Sequence, residues 1–489
     1  MTSAILPDGL YQRLRERLEP FGQEHVLRWW SELDEVQRAE LAAEVERCDW
    51  AELDRLFRGG QNATCATVLD WQQVQPPKLL RLANTFEAWE LEQKARAVGE
   101  EALRNGQVAV ALVAGGHGSR LGHEGPKGTF PIGPIIQRSL FQLHAEKVLA
   151  LSRRYRAPLP WYIMTSPDND APTRRFFAEH NYFGLEPQQV TFFTQGTMPA
   201  LDKGTGRVLM RSKWQLALSP NGHGGFIPAI RAAGIIRDWQ RRGVRWVFYF
   251  QVDNPLVRVA DPLFLGQHIS HGADVSVKVV PRQHAEEKVG LIVYYRGQHY
   301  LVEYSEIPAE YQYRKNPAGG FWLDAGNTGI HIFSVAFLER VSRPETRLPY
   351  HRVIKKVAYI NEWGECVEPQ LPNAVKWELF IFDALPLADR VLVVQTDRAE
   401  EFAPLKNAVG EDSPETVRAA LIRLYARWLE QAGFQVPRDA KGQVPVSIEI
   451  SPLVALDAGD LRGRVEEIDE INGQLLLDRV PNETEAESP

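Results

Sequence analysis

Residues 110–130 read VALVAGGHGSRLGHEGPKGTF. The run VAVALVA at 108–114 has the continuous apolar character of a buried strand. It stops abruptly at Gly115, Gly116 and Gly118, with Arg120 and Lys127 the only Lys or Arg in the stretch. In an open parallel sheet, ligands bind beyond the carboxyl ends of strands, so a glycine-rich loop here marks a site. Glycine lets backbone N–H groups close on a polyphosphate and adopts turns that a Cβ forbids. Spacing tests two familiar phosphate loops. A Walker loop needs Gly-Lys followed by Ser or Thr, whereas Lys127 stands between Pro126 and Gly128. A dinucleotide fingerprint needs a small residue three positions after Gly118, and Leu121 is there. Both fail. Two cations among glycines favour a cradle for a nucleoside triphosphate.

Outward from this loop, residues 107–400 alternate short apolar runs with amphipathic stretches. LPWYIMTS (159–166), VTFFTQ (190–195), WVFYFQVD (246–253) and ADVSVKVV (273–280) read as strands. SLFQLHAEKVLALSRRY (139–155) and PAIRAAGIIRDWQRRG (228–243) read as helices between them. That alternation predicts a doubly wound α/β sheet covered on both faces. VGLIVYYRGQHYLVEYSEI (289–307), with a turn at Arg296-Gly297, predicts an antiparallel hairpin at the edge, making the sheet mixed. Residues 1–106 read as a helical N-terminal region, with Asp34 a candidate cap and Gly106 closing the last helix. Residues 401–480 read as a smaller α+β C-terminal domain, and the acidic tail 481–489 as frayed.

At 489 residues the chain is too long for one ordinary core. A net charge of −7 argues against a general nucleic-acid or membrane coat, while leaving room for a local cationic pocket. Cys48, Cys65 and Cys366 are scattered and odd in number, which argues against a disulfide framework and a cysteine-based zinc site. No run approaches the length of a membrane span, and no apolar leader is evident. A cytoplasmic enzyme, monomer or homodimer, is expected.

The loop LVAGGHGSRLGHEGPKG resembles the signature of the UDP-sugar pyrophosphorylases, in particular the eukaryotic-type UDP-N-acetylhexosamine pyrophosphorylases. GQEHVLRWW (22–30), VDNPLVRVADP (252–262), LVEYSEI (301–307), DAGNTGIHIF (324–333), FAPLKNA (402–408) and EISPL (449–453) resemble that family too, in order. The likeness spans roughly residues 20–455. It implies a Rossmann-like fold of the nucleotide-diphospho-sugar transferase type. It also implies a Mg²⁺-dependent reaction of UTP with a sugar 1-phosphate, giving a UDP-sugar and pyrophosphate. An anionic phosphate would attack the α-phosphorus in line, so the work is positioning and charge neutralisation rather than general-base catalysis.

By this resemblance Val113, Ala114, Gly115 and Gly116 wall the nucleotide pocket, and Arg120 and Lys127 act on the departing phosphates. Asp253 holds Mg²⁺ and nucleotide, Gln195 and Gly222 contact uracil, and Lys376 and Lys406 reach the phosphates of nucleotide and sugar phosphate. Gly290, Glu303, Tyr304 and Asn327 match sugar-contacting positions, with Gly290 expected to leave room for an acetamido group. Position 223 departs from the pattern. The N-acetylhexosamine enzymes usually carry Asn there, whereas several glucose and broad-range relatives carry GHG, as this chain does at 222–224. N-acetylglucosamine 1-phosphate is the expected substrate. A glucose, galactose or broad-range enzyme and an inactive nucleotide-sugar binder are the alternatives.

Overall fold

The computed structural model describes residues 9–59, 69–462, 471 and 473–478; Cys65 and the acidic tail lie outside them. The chain forms two compact units. The described residues of the first fall within Met1–Val68, Gln195–Phe226 and Arg347–Asp383, and those of the second within Leu69–Thr194, Ile227–Thr346 and Ala384–Pro489.

The second unit is built on a ten-stranded mixed sheet. In chain order its strands are β1 (Leu79–Leu80), β2 (Val108–Val113), β3 (Trp161–Thr165), β4 (Val190–Thr194), β5 (Trp246–Gln251), β6 (Val275–Val280), β7 (Leu291–Tyr295), β8 (Gln298–Val302), β9 (Gly326–Ser334) and β10 (Val391–Gln395). The spatial order is β1-β10-β6-β9-β5-β2-β3-β4, with the β7–β8 hairpin branching from β9. Along this path β9 alone runs antiparallel to its neighbours. The expected strands form, and the hairpin turns at Arg296 and Gly297, both at positive φ as a two-residue turn requires. β2 and β5 are buried along almost their whole length because helices cover the sheet, which is why neither shows polar–apolar alternation.

The compact units cut across the contiguous division expected from sequence. The helix Phe86–Arg104 belongs to the second unit, where it crosses the helix Pro262–Ser270. Helix Pro414–Gln431 likewise shares one hydrophobic core with β2, β3 and β5 through Val417, Leu421, Leu424 and Leu429. The physical reason is that an amphipathic helix records only that one face is buried, not which surface covers it.

The first unit has its own core of Leu14, Leu18, Val26, Leu41, Val45, Leu56 and Trp377, among others. Its helices Glu35–Arg47 and Trp50–Arg58 start at Asp34, which makes a capping box, and at Asp49. A three-stranded antiparallel sheet joins Tyr350–Lys355, Ala374–Leu379 and Leu201–Asp202. The GQEHVLRWW motif is structural here. Gln23 brackets residues 206–208, donating to the Gly206 carbonyl at 3.0 Å and accepting from the Val208 N–H at 2.9 Å.

His144 and His268, both fully buried in the second unit, have their pKa values pushed down to about 3 by desolvation. A depressed folded-state value means the contribution to stability is complete above the unfolded value near 6.5 and is lost as pH falls toward 3. Each should therefore remove about 2 kcal/mol of stability by pH 5. Urea unfolding midpoints between pH 7 and 5 measure the slope, which should flatten in His268→Gln; an unchanged slope would assign the proton uptake elsewhere.

Candidate functional site

In the second unit, β2 delivers Val113 and Ala114 to the glycine loop, and β5 beside it delivers Asp253. The Val252 N–H donates to the Val113 carbonyl at 3.1 Å, so the two strand ends open at the same level. Asn169, fully buried on the helix Pro167–Glu179, donates its side-chain amide to the Gly115 and Gly116 carbonyls at 2.9 and 3.0 Å. The loop then doubles back. The Lys127 N–H donates to the Gly116 carbonyl at 3.0 Å, and the Gly118 N–H to the Gly125 carbonyl at 2.9 Å.

The loop's two cations stand differently. Arg120 is exposed on the short turn Ser119–Leu121 and, among the described residues, makes no side-chain hydrogen bond or ion pair. Lys127 points inward, with its Nζ 3.4 Å from the Asp253 carboxylate and 3.2 Å from the Leu405 carbonyl. The side chains of Lys127 and Asp253 are only 18% and 17% exposed, so this pair is screened less than a surface pair. The Leu405 N–H donates to the Asp253 carbonyl at 2.8 Å, which places Lys406 next in line; its Nζ lies 3.8 Å from Asp412. Lys127, Asp253 and the 405–406 segment thus converge.

A charged cluster braces this junction from beneath. Buried Lys278 of β6 contacts Asp261 at 2.9 Å and Glu401 at 2.5 Å, while the Asn254 amide donates to the Glu401 carbonyl at 2.7 Å. Neither this cluster nor Asn169 was found from sequence. The available signal for the cluster is Lys278 itself, a lone cation inside an apolar strand run, which demands a buried acid. Asn169 gives no comparable signal.

Gly290, Glu303, Tyr304 and Asn327 collect at one end of the β7–β8 hairpin. Leu291 pairs with Val302 and with Gly326, and the Asn327 N–H donates to the Gly290 carbonyl at 2.8 Å. Glu303 is partly buried at the start of the turn Tyr304–Glu306, and Tyr304 is exposed. A Cβ on Gly290 would lie 2.8 Å from the Leu301 side chain. That contact is with the end of the Leu301 side chain, which crowds this position from within the hairpin.

In the first unit, Gln195 is buried beside Gly196, whose carbonyl accepts the Asn221 N–H at 3.0 Å. Gly222 sits at φ +86°, and a Cβ there would meet the Leu379 carbonyl at 2.5 Å, so glycine is required twice over. The His223 ring stacks on Phe380 with centroids 5.3 Å apart, and its Nδ1 accepts the Ile381 N–H at 3.2 Å. A backbone N–H can only donate, so the His223 proton resides on Nε2, making that nitrogen a donor. Lys376 is half-buried on the strand Ala374–Leu379, where burial lowers its pKa. The structure thus gathers Gln195, Gly222 and His223, with Lys376 on the adjoining strand.

A family model described as UTP–glucose-1-phosphate uridylyltransferase matches residues 53–451, most of the chain. The chain belongs to the UDP-sugar pyrophosphorylase family. As a member of this nucleotidyltransferase family it is an enzyme. It is 37% identical over 499 residues to the human UDP-N-acetylhexosamine pyrophosphorylase-like protein 1, covering 96% of this chain and 97% of the relative. The UDP-N-acetylglucosamine pyrophosphorylase of Saccharomyces cerevisiae is 42% identical over 346 residues, 69% of this chain and 72% of the relative. The solved uridine diphosphate N-acetylglucosamine pyrophosphorylase of Trypanosoma brucei superposes with a TM-score of 0.82 at 27% identity, covering 97% of this chain and 99% of that one. In a UDP-sugar pyrophosphorylase, the strand-end position of the glycine loop is the expected place for nucleotide chemistry. Among the described residues, no helix of this family member is long and apolar enough to cross a membrane.

Proposed function

We propose that the chain joins UTP and N-acetylglucosamine 1-phosphate into UDP-N-acetylglucosamine and pyrophosphate. The observation that supports this best is the convergence of Lys127 on Asp253 and Leu405 at the ends of β2 and β5. The sugar assignment rests on the relatives, whose names specify UDP-N-acetylhexosamine or UDP-N-acetylglucosamine.

In this reading the sugar phosphate attacks the α-phosphorus while pyrophosphate departs on the opposite side. The O–P bond to the sugar phosphate forms as the bond to pyrophosphate breaks. Both reactants are anions, so the protein's contribution is orientation and fixed positive charge. Within the second unit, Val113, Ala114, Gly115 and Gly116 carry the nucleotide, and Arg120 and Lys127 neutralise the leaving group. Lys406 draws in the sugar phosphate, and Glu303, Tyr304, Asn327 and the Gly290 backbone bind the ring. Within the first unit, Gln195 and Gly222 read uracil, Lys376 meets nucleotide phosphate, and His223 offers its Nε2–H to the sugar.

Asp253 provides one carboxylate for Mg²⁺, and among the described residues no three His, Cys, Asp or Glu side chains form a metal cage. That donor set fits a magnesium ion carried on a triphosphate, because Mg²⁺ keeps most of its shell as phosphate oxygen and water. When bound it neutralises charge on the phosphates.

Pyrophosphate release from UTP, Mg²⁺ and a panel of sugar 1-phosphates tests the proposal. N-acetylglucosamine 1-phosphate should give the highest kcat/KM. A preference for glucose or galactose 1-phosphate would overturn the sugar assignment, and no release with any sugar would overturn the activity.

His223 supports the second reading, a glucose, galactose or broad-range enzyme. His223→Asn keeps an acceptor for the Ile381 N–H and adds the two-sided hydrogen bonding of an amide. Its ratio of kcat/KM for N-acetylglucosamine 1-phosphate over glucose 1-phosphate should rise by about tenfold, as one hydrogen bond contributes. An unchanged ratio would remove His223 from sugar choice.

A further inference from the structure

The second unit contains a cavity of about 140 Å³ that the proposed reaction does not use. One wall is Pro255–Val259, the chain that follows Asp253; the facing walls come from the helices Phe86–Arg104, Leu140–Tyr155 and Pro414–Gln431. A cavity of about this volume admits one benzene-sized ring. Leu421, Leu424 and Tyr425, all buried, supply the apolar surface that would face such a ring.

The polar lining is unbalanced in a specific way. Arg96 and Arg258 both line the cavity and are half-buried, yet among the described residues neither guanidinium makes a hydrogen bond or ion pair within 4.0 Å. Each presents five N–H donors and no acceptor, in a fork that matches a carboxylate. The other charges on the wall are already engaged, Glu100 with Arg104 at 2.8 Å among them. Lys147 donates to the Pro255 and Val257 carbonyls at 2.5 and 2.9 Å, and Asp261 is paired with Lys278 at 2.9 Å. Arg154 faces Asp457 at 3.9 Å and binds Asp460. More distant carboxylates, those of Asp261, Glu401 and Asp457, keep Arg258 charged. Carboxylates of Glu100, Asp261 and Asp457 stand on the wall, but among the described residues none is within 4.0 Å of either guanidinium. A ligand's acid would supply the direct acceptor, and its apolar body would cover the leucines.

We propose that this cavity is a second ligand-binding site, for a single-ring aromatic carboxylate whose ring lies against Leu421, Leu424 and Tyr425 and whose acid is forked by Arg258. Arg96 is the second cation of the site. The site is distinct from the glycine loop and stands whether or not the proposed reaction is correct.

The full chain titrated with 4-fluorobenzoate, followed by fluorine NMR, tests this. Saturable broadening is expected, with NOEs from the ring protons to the methyl groups of Leu421 and Leu424. Arg258→Gln should weaken binding at least about tenfold, the loss of one charge-assisted fork. Leu424→Trp should fill the cavity and abolish binding, and neutral 4-fluorobenzyl alcohol should bind at least about tenfold more weakly than the acid. Lys127→Ala should leave the affinity unchanged; loss of binding there would move the anion to the glycine loop and overturn the proposal. Absence of saturable binding, equal binding of acid and alcohol, or binding that survives both Arg258→Gln and Leu424→Trp would also overturn it. If those variants do not fold, the NOEs in the unaltered protein and the affinity of Arg96→Gln decide. Missing NOEs or an affinity unchanged in Arg96→Gln would then reject the site.

Discussion

Lys127→Ala is expected to lower kcat for pyrophosphate release by about two to three orders of magnitude, as for loss of one preorganised donor to developing charge. The reason is placement. Lys127 is held at 3.4 Å from Asp253 and 3.2 Å from the Leu405 carbonyl, so its ammonium is positioned before any substrate charge changes. A cation that acts mainly on the leaving group should move kcat more than KM for UTP, because its contribution grows in the transition state. Lys127→Arg restores charge but not the compact ammonium that fits between carboxylate and carbonyl, so only partial recovery is expected. Asp253→Asn should be strongly non-additive with Lys127→Ala, since the two side chains share one contact. Steady-state kinetics of the three variants and the double variant measure all of this. Turnover of Lys127→Ala within about threefold of the unaltered protein would dismiss the lysine from the chemistry.

The largest effect on stability is expected far from the loop, at Gly266→Ala. A Cβ at Gly266 would lie 1.6 Å from the Ala95 carbonyl oxygen, and one at Gly99 would lie 1.9 Å from the Pro262 carbonyl oxygen. Both collisions are with backbone, so no rotamer change relieves them; the helices Phe86–Arg104 and Pro262–Ser270 must separate. Overpacking of this kind costs on the order of 3 kcal/mol, well above the gain of about 1 kcal/mol that alanine brings within an isolated helix. Because one displacement of the helices admits either methyl group, Gly99→Ala and Gly266→Ala should cost less together than the sum of their separate effects. Urea midpoints of the single and double variants check this. A Gly266→Ala protein as stable as the unaltered one would show that the two helices do not cross this closely.

Much of the sheet was legible because its signals are local. Unbroken apolar runs such as VAVALVA and WVFYFQ are what strands covered on both faces require, and Arg296-Gly297 carries its turn in two residues. The glycine loop announced itself by glycines and cations at the end of a predicted strand, and spacing alone excluded two other phosphate loops. Other features have no local signature. The antiparallel strand β9 is locally no different from a parallel one. Gly99 and Gly266, 167 positions apart in sequence, reveal their role only when each is seen against the other helix's backbone.

By itself, then, the linear sequence determined the strand pattern, the class of loop and, through ordered motifs, the family. Those properties depend on composition and spacing within short windows. Tertiary structure decided which unit each helix serves, why Gly222 is a glycine, which nitrogen of His223 carries the proton, and how Asn169, Lys278 and Glu401 brace the loops. Each of these depends on a hydrogen bond, a charge or a packed surface contributed from a distant part of the chain, and only folding brings those partners within reach.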